Sequence, residues 1–531
     1  MIAVRRAAAL ALVLLAALTG VAGAATLLGT PGADRLLGTP GADRILGRAG
    51  GDRLDGRGGT DFLDGGPGRD VLLGGEGADL LAAEVDGGVD TVSCGAGRDI
   101  VTAELADRVD GDCEVVSRQL SRDTTRATGA RHATEVEPDS FAFRSTIVTA
   151  FQVGRYADGG AVTTGFATSR DGGRVWRPGL LPGLTVDSRP AGGAERVSDP
   201  VVAYDAAHGT WLVASLGVDD GETTILVSRS REGLRWGLPV RAAVAQSATL
   251  AYDKEWIACD NGAGSPFRGR CYLAYADLLQ DGLAVQSSDD GGLTWSAPVL
   301  AHPEADATGV QPVVLPDGAL VLAFLETDGI GAVRSADGGA SFGEVAEVSE
   351  SREAPARGLR SPPLPSIDVA RDGTLLVVWH DCRYRAGCSG NDIVLSTSRD
   401  GQTWTPTRRL PLDRRAGHVI PGVAADPTSA RVAVLFHSLP EPGCAAEACR
   451  VTVSIVESPN GGRSWGPPQR LATQAMPLAW MPRTSLGRML GDYVSVSYVG
   501  GRAVPVFALA SEPGGAGLRQ AIFATVVRKG R

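Results

Sequence analysis

The chain has almost no lysine. Of its 51 basic residues only Lys254 and Lys529 are lysine, and the other 49 are arginine. Aromatic content is also low at 5%, and none of the three asparagines lies in an Asn-x-Ser/Thr sequon. The net charge is -10 and no basic stripe offsets it, which argues against nucleic acid as a partner. Beyond residue 24 there is no long apolar run, so no transmembrane segment is expected once the first segment is removed. The HExxH, GxSxG and P-loop patterns are missing, which leaves zinc-peptidase, serine-elbow and P-loop nucleotide chemistry without their signatures.

A length of 531 residues implies more than one domain, and 43% hydrophobic with 21% charged residues is ordinary for folded protein. Residues 1–24 read as a signal peptide. Arg5 and Arg6 precede an apolar run from Ala7 to Val21, and Ala22-Gly23-Ala24 has the shape of a cleavage site. The expected location is therefore secreted, extracellular. The eight cysteines fall in close pairs, Cys94 with Cys113, Cys259 with Cys271, Cys382 with Cys388 and Cys444 with Cys449, and in an exported chain they read as four local disulfides.

Asp34, Asp43, Asp52, Asp61, Asp70 and Asp79 recur every nine residues, and the register resumes at Asp90 and Asp99. An apolar residue follows each of the first six by two positions, from Leu36 to Leu81, and glycine precedes nearly every Asp. This pattern resembles the hemolysin-type (RTX) calcium-binding repeat, which implies a parallel β-roll over 25–116 with Ca2+ as cofactor. The apolar side chain fills the interior, the Gly-rich half turns, and the eight Asp carboxylates are the expected metal ligands. The early copies (LLGTPGADR) put Thr-Pro where the pattern has glycine. Residues 25–114 hold 18 Asp and Glu against 8 Arg, a balance that alone equals the chain's net charge. Without a cation such a segment repels itself.

Residues 117–136 are polar and aperiodic and read as a linker. From 137 to 531 short β-branched runs alternate with turns, and six related boxes recur, from Ser169-Arg170-Asp171-Gly172-Gly173-Arg174-Val175-Trp176 to Ser458-Pro459-Asn460-Gly461-Gly462-Arg463-Ser464-Trp465. They resemble the Asp box (BNR repeat) of the sialidase superfamily. The fold class expected is thus all-β, an N-terminal roll followed by a β-propeller. Seven inner-strand motifs, near Asp139, Asp199, Asp253, Gln311, Pro365, Pro421 and Asp492, favour seven blades, whereas the family precedent is six.

The sialidase resemblance implies a retaining glycosidase with three arginines on the substrate carboxylate, a tyrosine nucleophile, a glutamate base and an aspartate acid. Placed on this chain, it nominates Arg383, Arg385 and Arg488 as the cluster, Tyr493 as nucleophile, Glu255 as base and Asp199 as acid. The implied activity is an exo-glycosidase on sialylated or related glycans. The same residues allow a structural reading, with Arg383 and Arg385 in a loop clamped by Cys382 and Cys388 and Tyr493 packed near the axis. The family's early Arg-Ile-Pro motif is missing. The alternative function is a non-catalytic propeller that binds glycans, proteins or cell-envelope components.

Overall fold

The nine-residue period makes each repeat one short strand and one turn. In the computed structural model, which describes residues 23–83, 87–247, 249–304, 306–441, 443–444, 448–514 and 517–527, successive strands alternate between two parallel sheets. Most of the expected signal peptide lies outside the described residues. One sheet stacks Thr26–Leu28, Arg44–Leu46, Phe62–Asp64, Leu80–Ala82 and Ile100–Ala103, and the other stacks Arg35–Leu37, Arg53–Asp55, Val71–Glu76, Thr91–Ala96 and Arg108–Val109. Ile45, Leu54, Leu63, Leu72 and Leu81 are fully buried between them. The turns need glycine: Gly77 has φ +129°, and a Cβ there would lie 1.5 Å from the Gly59 carbonyl oxygen.

The roll does not end at 116. The strand Val115–Gln119 pairs in parallel with Ile100–Ala103 on one side and antiparallel with Gly517–Val527 on the other. The outer sheet of the roll therefore runs without a break into the last sheet of the chain, and this strand bridges the two parts. The expected linker begins inside it. The segment beyond is organised by Asp123, whose carboxylate accepts the Thr125 and Ala133 N–H groups at 2.8 and 2.9 Å.

Among the described residues the remainder forms seven antiparallel units of four strands, of which the first two are joined into one sheet through the Ala161–Val197 pair and the sixth carries a fifth short strand, Met476–Pro477. Their innermost strands are Val136–Phe143, Arg196–Asp205, Tyr252–Cys259, Thr308–Val314, Ser366–Val369, Gly417–Ala425 and Ser495–Val499. Each contacts the next, and the last contacts the first, so the sheets close a ring. The seventh sheet takes Ser495–Val499, Arg502–Gly514 and Gly517–Val527 from the end of the chain and the bridging strand as its fourth member. Asp139 stitches the closure: it accepts the Val202 N–H at 2.7 Å and the Ser495 hydroxyl at 3.0 Å.

The six boxes all sit where the third strand of a sheet ends. In the first, Asp171 accepts the Arg174 and Val175 N–H groups at 3.0 Å, Ser169 accepts the Gly173 N–H at 2.8 Å, and the Trp176 indole donates to the Gly173 carbonyl at 3.0 Å. The seventh sheet has no box because its fourth strand arrives from the roll and needs no hairpin. The four expected disulfides are formed and no described cysteine is free. No described helix is long and apolar enough to cross a membrane, a statement about helices alone.

Candidate functional site

Two sites come from the two repeat systems. In the roll the Asp residues stack in two columns. Asp34, Asp52, Asp70, Asp90 and Asp107 form one, each N–H donating to the next carboxylate at 2.7–2.9 Å. Asp43, Asp61, Asp79, Asp99 and Glu114 form the other, with bonds of 2.7–3.0 Å. Asp107 and Glu114 lie 17 and 15 residues beyond their predecessors, so a nine-residue period does not reach them.

The donor set fits calcium. The Oδ2 atoms of Asp52, Asp61, Asp79 and Asp99 are buried and accept no hydrogen bond. At Gly47, Gly56 and Gly74 a carbonyl oxygen and one of these Oδ2 atoms face the same small gap, each 2.4–2.6 Å from where a Cβ would be. Clustered carboxylate and carbonyl oxygens are what a hard divalent cation takes, and such an ion would supply the positive charge the columns lack. Burial, opposed by one backbone N–H and reinforced by the neighbouring Asp, pushes Asp61, Asp79 and Asp99 up to about 6. The first two rungs differ. The Thr30 N–H and hydroxyl donate to Asp34 Oδ2 at 2.6 and 2.8 Å, and Thr39 does the same to Asp43 at 2.5 and 3.1 Å. The Thr-Pro copies thus satisfy internally the oxygen that later copies leave open.

The second site lies where the inner strands of the ring meet. Five of these strands carry the same β-bulge, and at each a residue takes positive φ: Glu137 (+52°), Asp199 (+45°), Lys254 (+53°), Gly309 (+63°) and Ile420 (+52°). Non-glycine residues adopt this conformation at a cost of about 1–3 kcal/mol each. Three of them form one ion cluster. Lys254 Nζ lies 2.6 Å from Asp492, 3.1 Å from Asp199 and 3.7 Å from Glu137. Arg360 grips Asp492 with two nitrogens, Nε at 2.6 Å from Oδ1. Burial alone would raise Asp492, yet Lys254 and Arg360 hold it below the usual carboxylate range. Burial and then Asp199 push Glu137 up to about 7. Burial would lower Lys254, but Asp199, Asp492 and Glu137 keep it firmly charged.

Tyr493 and Glu255 stand beside this cluster. The Tyr493 ring meets Trp256 edge-on at 5.2 Å, and its hydroxyl is buried with no partner. Glu255 is 1% exposed, and neither of its oxygens is hydrogen-bonded. Burial, then Asp199, drives its carboxyl well above the usual range, and burial with the surrounding carboxylates does the same to the Tyr493 phenol. Both shifts favour the neutral form of the group. The cavity they share with Lys254, Trp256 and Asp492 measures about 20 Å³, room for one water rather than a sugar ring.

Of the six expected catalytic residues, the structure brings Tyr493, Glu255 and Asp199 together and leaves the arginines out. Arg383 is held by Asp381 at 2.8 Å and Ser349 at 2.8 Å within the Cys382–Cys388 loop. Arg385 is held by Asp392 at 2.7 Å and the Ala416 carbonyl at 2.7 Å. Arg488 donates to the Met481 carbonyl at 2.8 Å. The reason is local: Arg383 and Arg385 each have a carboxylate at the adjoining strand end, Asp381 and Asp392, and Arg488 has a carbonyl on its own loop. Sequence reasoning missed Glu137 and Arg360. Glu137-Pro138 matches Asp199-Pro200 in the repeating inner-strand motif and could have been found that way; Arg360, in an irregular loop, carries no such signal.

Residues 19–54, 28–63, 55–86 and 64–101 match the family model of the RTX calcium-binding nonapeptide repeat, in four copies. The N-terminal segment therefore carries RTX calcium-binding repeats. No curated protein matches the chain. Similar solved structures include a protein of unknown function from Dyadobacter fermentans, 18% identical over 65% of this chain and 99% of that one, with a TM-score of 0.43. The Hadza microbial sialidase Hz136 is 16% identical over 75% of this chain and 68% of that one, TM-score 0.38. The α-L-arabinofuranosidase Arb93A of Fusarium graminearum is 15% identical over 64% of this chain and 97% of that one, TM-score 0.40.

Proposed function

We infer that the chain is an exported protein whose calcium-loaded roll is fused to a seven-bladed β-propeller, and that the propeller binds rather than hydrolyses. The division at 25–116, 117–136 and 137–531 then becomes a roll, a connector and a ring in which the strand Val115–Gln119 crosses the first boundary and is shared by roll and ring. Export is supported by the leader-like first segment, the four disulfides and the calcium-binding repeats. One observation carries the binding reading: the axis is filled by a self-neutralising ion cluster around a cavity of about 20 Å³, with the nominated arginines bonded elsewhere. An anionic sugar would meet the carboxylates of Glu137, Asp199 and Asp492 there, with Lys254 and Arg360 already paired to them.

The gathering of Tyr493, Glu255 and Asp199 favours a second reading, a retaining glycosidase whose axis opens on substrate binding. Covalent trapping separates the two. Retaining enzymes form a glycosyl–enzyme intermediate, so glycosyl fluorides with a second fluorine on the carbon beside the anomeric centre, sialosyl and arabinosyl included, leave an adduct on such an enzyme. The binding reading predicts an unchanged intact mass. An adduct on Tyr493 establishes the glycosidase.

A further inference from the structure

A cleft of about 310 Å³ opens between the outer sheet of the roll and the last sheets of the ring, a volume typical of small-ligand sites. We propose that this roll–ring cleft is a binding site for a neutral saccharide, made and unmade by calcium because one wall is the roll itself. The inference rests on the binding reading above and gives it a location and a ligand class.

The lining carries the argument. Arg44 and Asp64 project from adjacent roll strands, in which Arg44 registers with Phe62 and Leu46 with Asp64. Arg450, Gln474, Trp480 and Glu512 face them from the ring. Trp480 ends the short turn Leu478–Trp480 and is partly buried against the ring core. The Leu478 N–H donates to the Cys449 carbonyl at 3.1 Å, tying that turn to the Cys444–Cys449 loop. The Arg44 guanidinium carbon sits over the Phe62 ring, 4.4 Å from its centroid, a contact that favours this placement of the side chain. An indole held at the wall of a cleft stacks on the C–H face of a pyranose. Guanidinium, carboxylate and amide groups around it match the paired donors and acceptors of sugar hydroxyls.

Charge and topology narrow the ligand. Two arginines stand against two carboxylates, so the balance favours neither an anionic nor a cationic ligand. A peptide captured by strand addition needs an open sheet edge. The wall strands Arg44–Leu46, Phe62–Asp64 and Arg502–Gly514 are each already paired on both sides, and the wall strand with a free side, Met476–Pro477, is only two residues long.

The test is a titration of the full chain, calcium-loaded, with methyl glycosides of glucose, galactose, mannose and N-acetylglucosamine and with lactose and cellobiose. Saturation-transfer NMR and tryptophan fluorescence give the readouts. At least one saccharide is expected to bind, with Trp480→Ala weakening it about tenfold, the scale of one aromatic contact. Trp480→Phe retains most of the affinity, and chelator abolishes it. No saccharide binding to protein that circular dichroism shows to be folded overturns the proposal and leaves the non-catalytic reading standing. Binding that is equally tight in Trp480→Ala and Arg44→Ala overturns the cleft as its location. Turnover of a bound saccharide overturns the non-catalytic reading instead.

Discussion

Replacing Lys254 by methionine removes an ammonium from the ion cluster at the centre of the ring. Its nitrogen sits 2.6, 3.1 and 3.7 Å from three carboxylates, and the side chain is 12% exposed. At an effective dielectric of about 20, each such pair is worth roughly 5 kcal/mol before desolvation. Breaking a buried ion pair typically costs about 3–5 kcal/mol net, because the remaining charges stay buried and unpaired. The loss should depend on pH in a definite direction. Glu137 titrates at about 7 in the fold against an ordinary 4.5, so its contribution to stability is full below the lower value and is lost as pH rises through the upper one. Without Lys254 its folded pKa moves higher still, so the deficit is smallest near pH 5 and largest near pH 8. Urea unfolding of calcium-loaded protein, followed by circular dichroism at both pH values, measures it. Adding Asp199→Asn to Lys254→Met should recover at least about 1 kcal/mol, since contacting charges couple. A Lys254→Met loss under about 1 kcal/mol, flat with pH, is what an exposed pair would give and would refute the ion-cluster account.

The roll supplies four more predictions. Gly77→Ala forces a Cβ to 1.5 Å from the Gly59 carbonyl and should abolish the calcium-induced change in circular dichroism, whereas Gly111→Ala, which meets nothing within 4 Å, should not. Asp61→Asn and Asp79→Asn should weaken calcium binding by calorimetry far more than Asp34→Asn, whose Oδ2 is already bonded to Thr30. Without calcium the roll should be more stable in acid. Asp61, Asp79 and Asp99 titrate at about 6 against an ordinary 3.8, so their contribution is present below the lower value and lost as pH rises through the upper. Finally, the bridging strand Val115–Gln119 is shared, so chelation should speed hydrogen exchange in Gly517–Val527, and much less in Leu320–Leu325 on a distant sheet.

Much of the roll was legible because its physics is periodic: one buried aliphatic and one carboxylate every nine residues leave a direct trace. The trace fails where the period does. Asp107 and Glu114 finish the two columns from irregular spacings, and only the hydrogen bonds from Asp90 and Asp99 reveal them. The boxes were legible for the same reason, as local turns that satisfy their own N–H groups. The bridging strand was not, because its partner Gly517–Val527 lies about 400 residues away and its valines read equally well as the end of the roll. At the axis, sequence pattern located the inner strands and hence Asp199, Glu255 and Tyr493. It could not say where long side chains end. Arg383, Arg385 and Arg488 have the right residue type but nearer acceptors, while Arg360 reaches Asp492 from a loop with no repeat to mark it.

Hydrolysis is the most direct test of the claim that the ring binds rather than cleaves. A panel of fluorogenic glycosides, sialosides and arabinofuranosides included, would be offered to the calcium-loaded chain and to its chelated form. The account predicts no turnover above the uncatalysed rate in either, from protein shown to be folded. Turnover in calcium that disappears in Tyr493→Phe would contradict it and make the axis an active site.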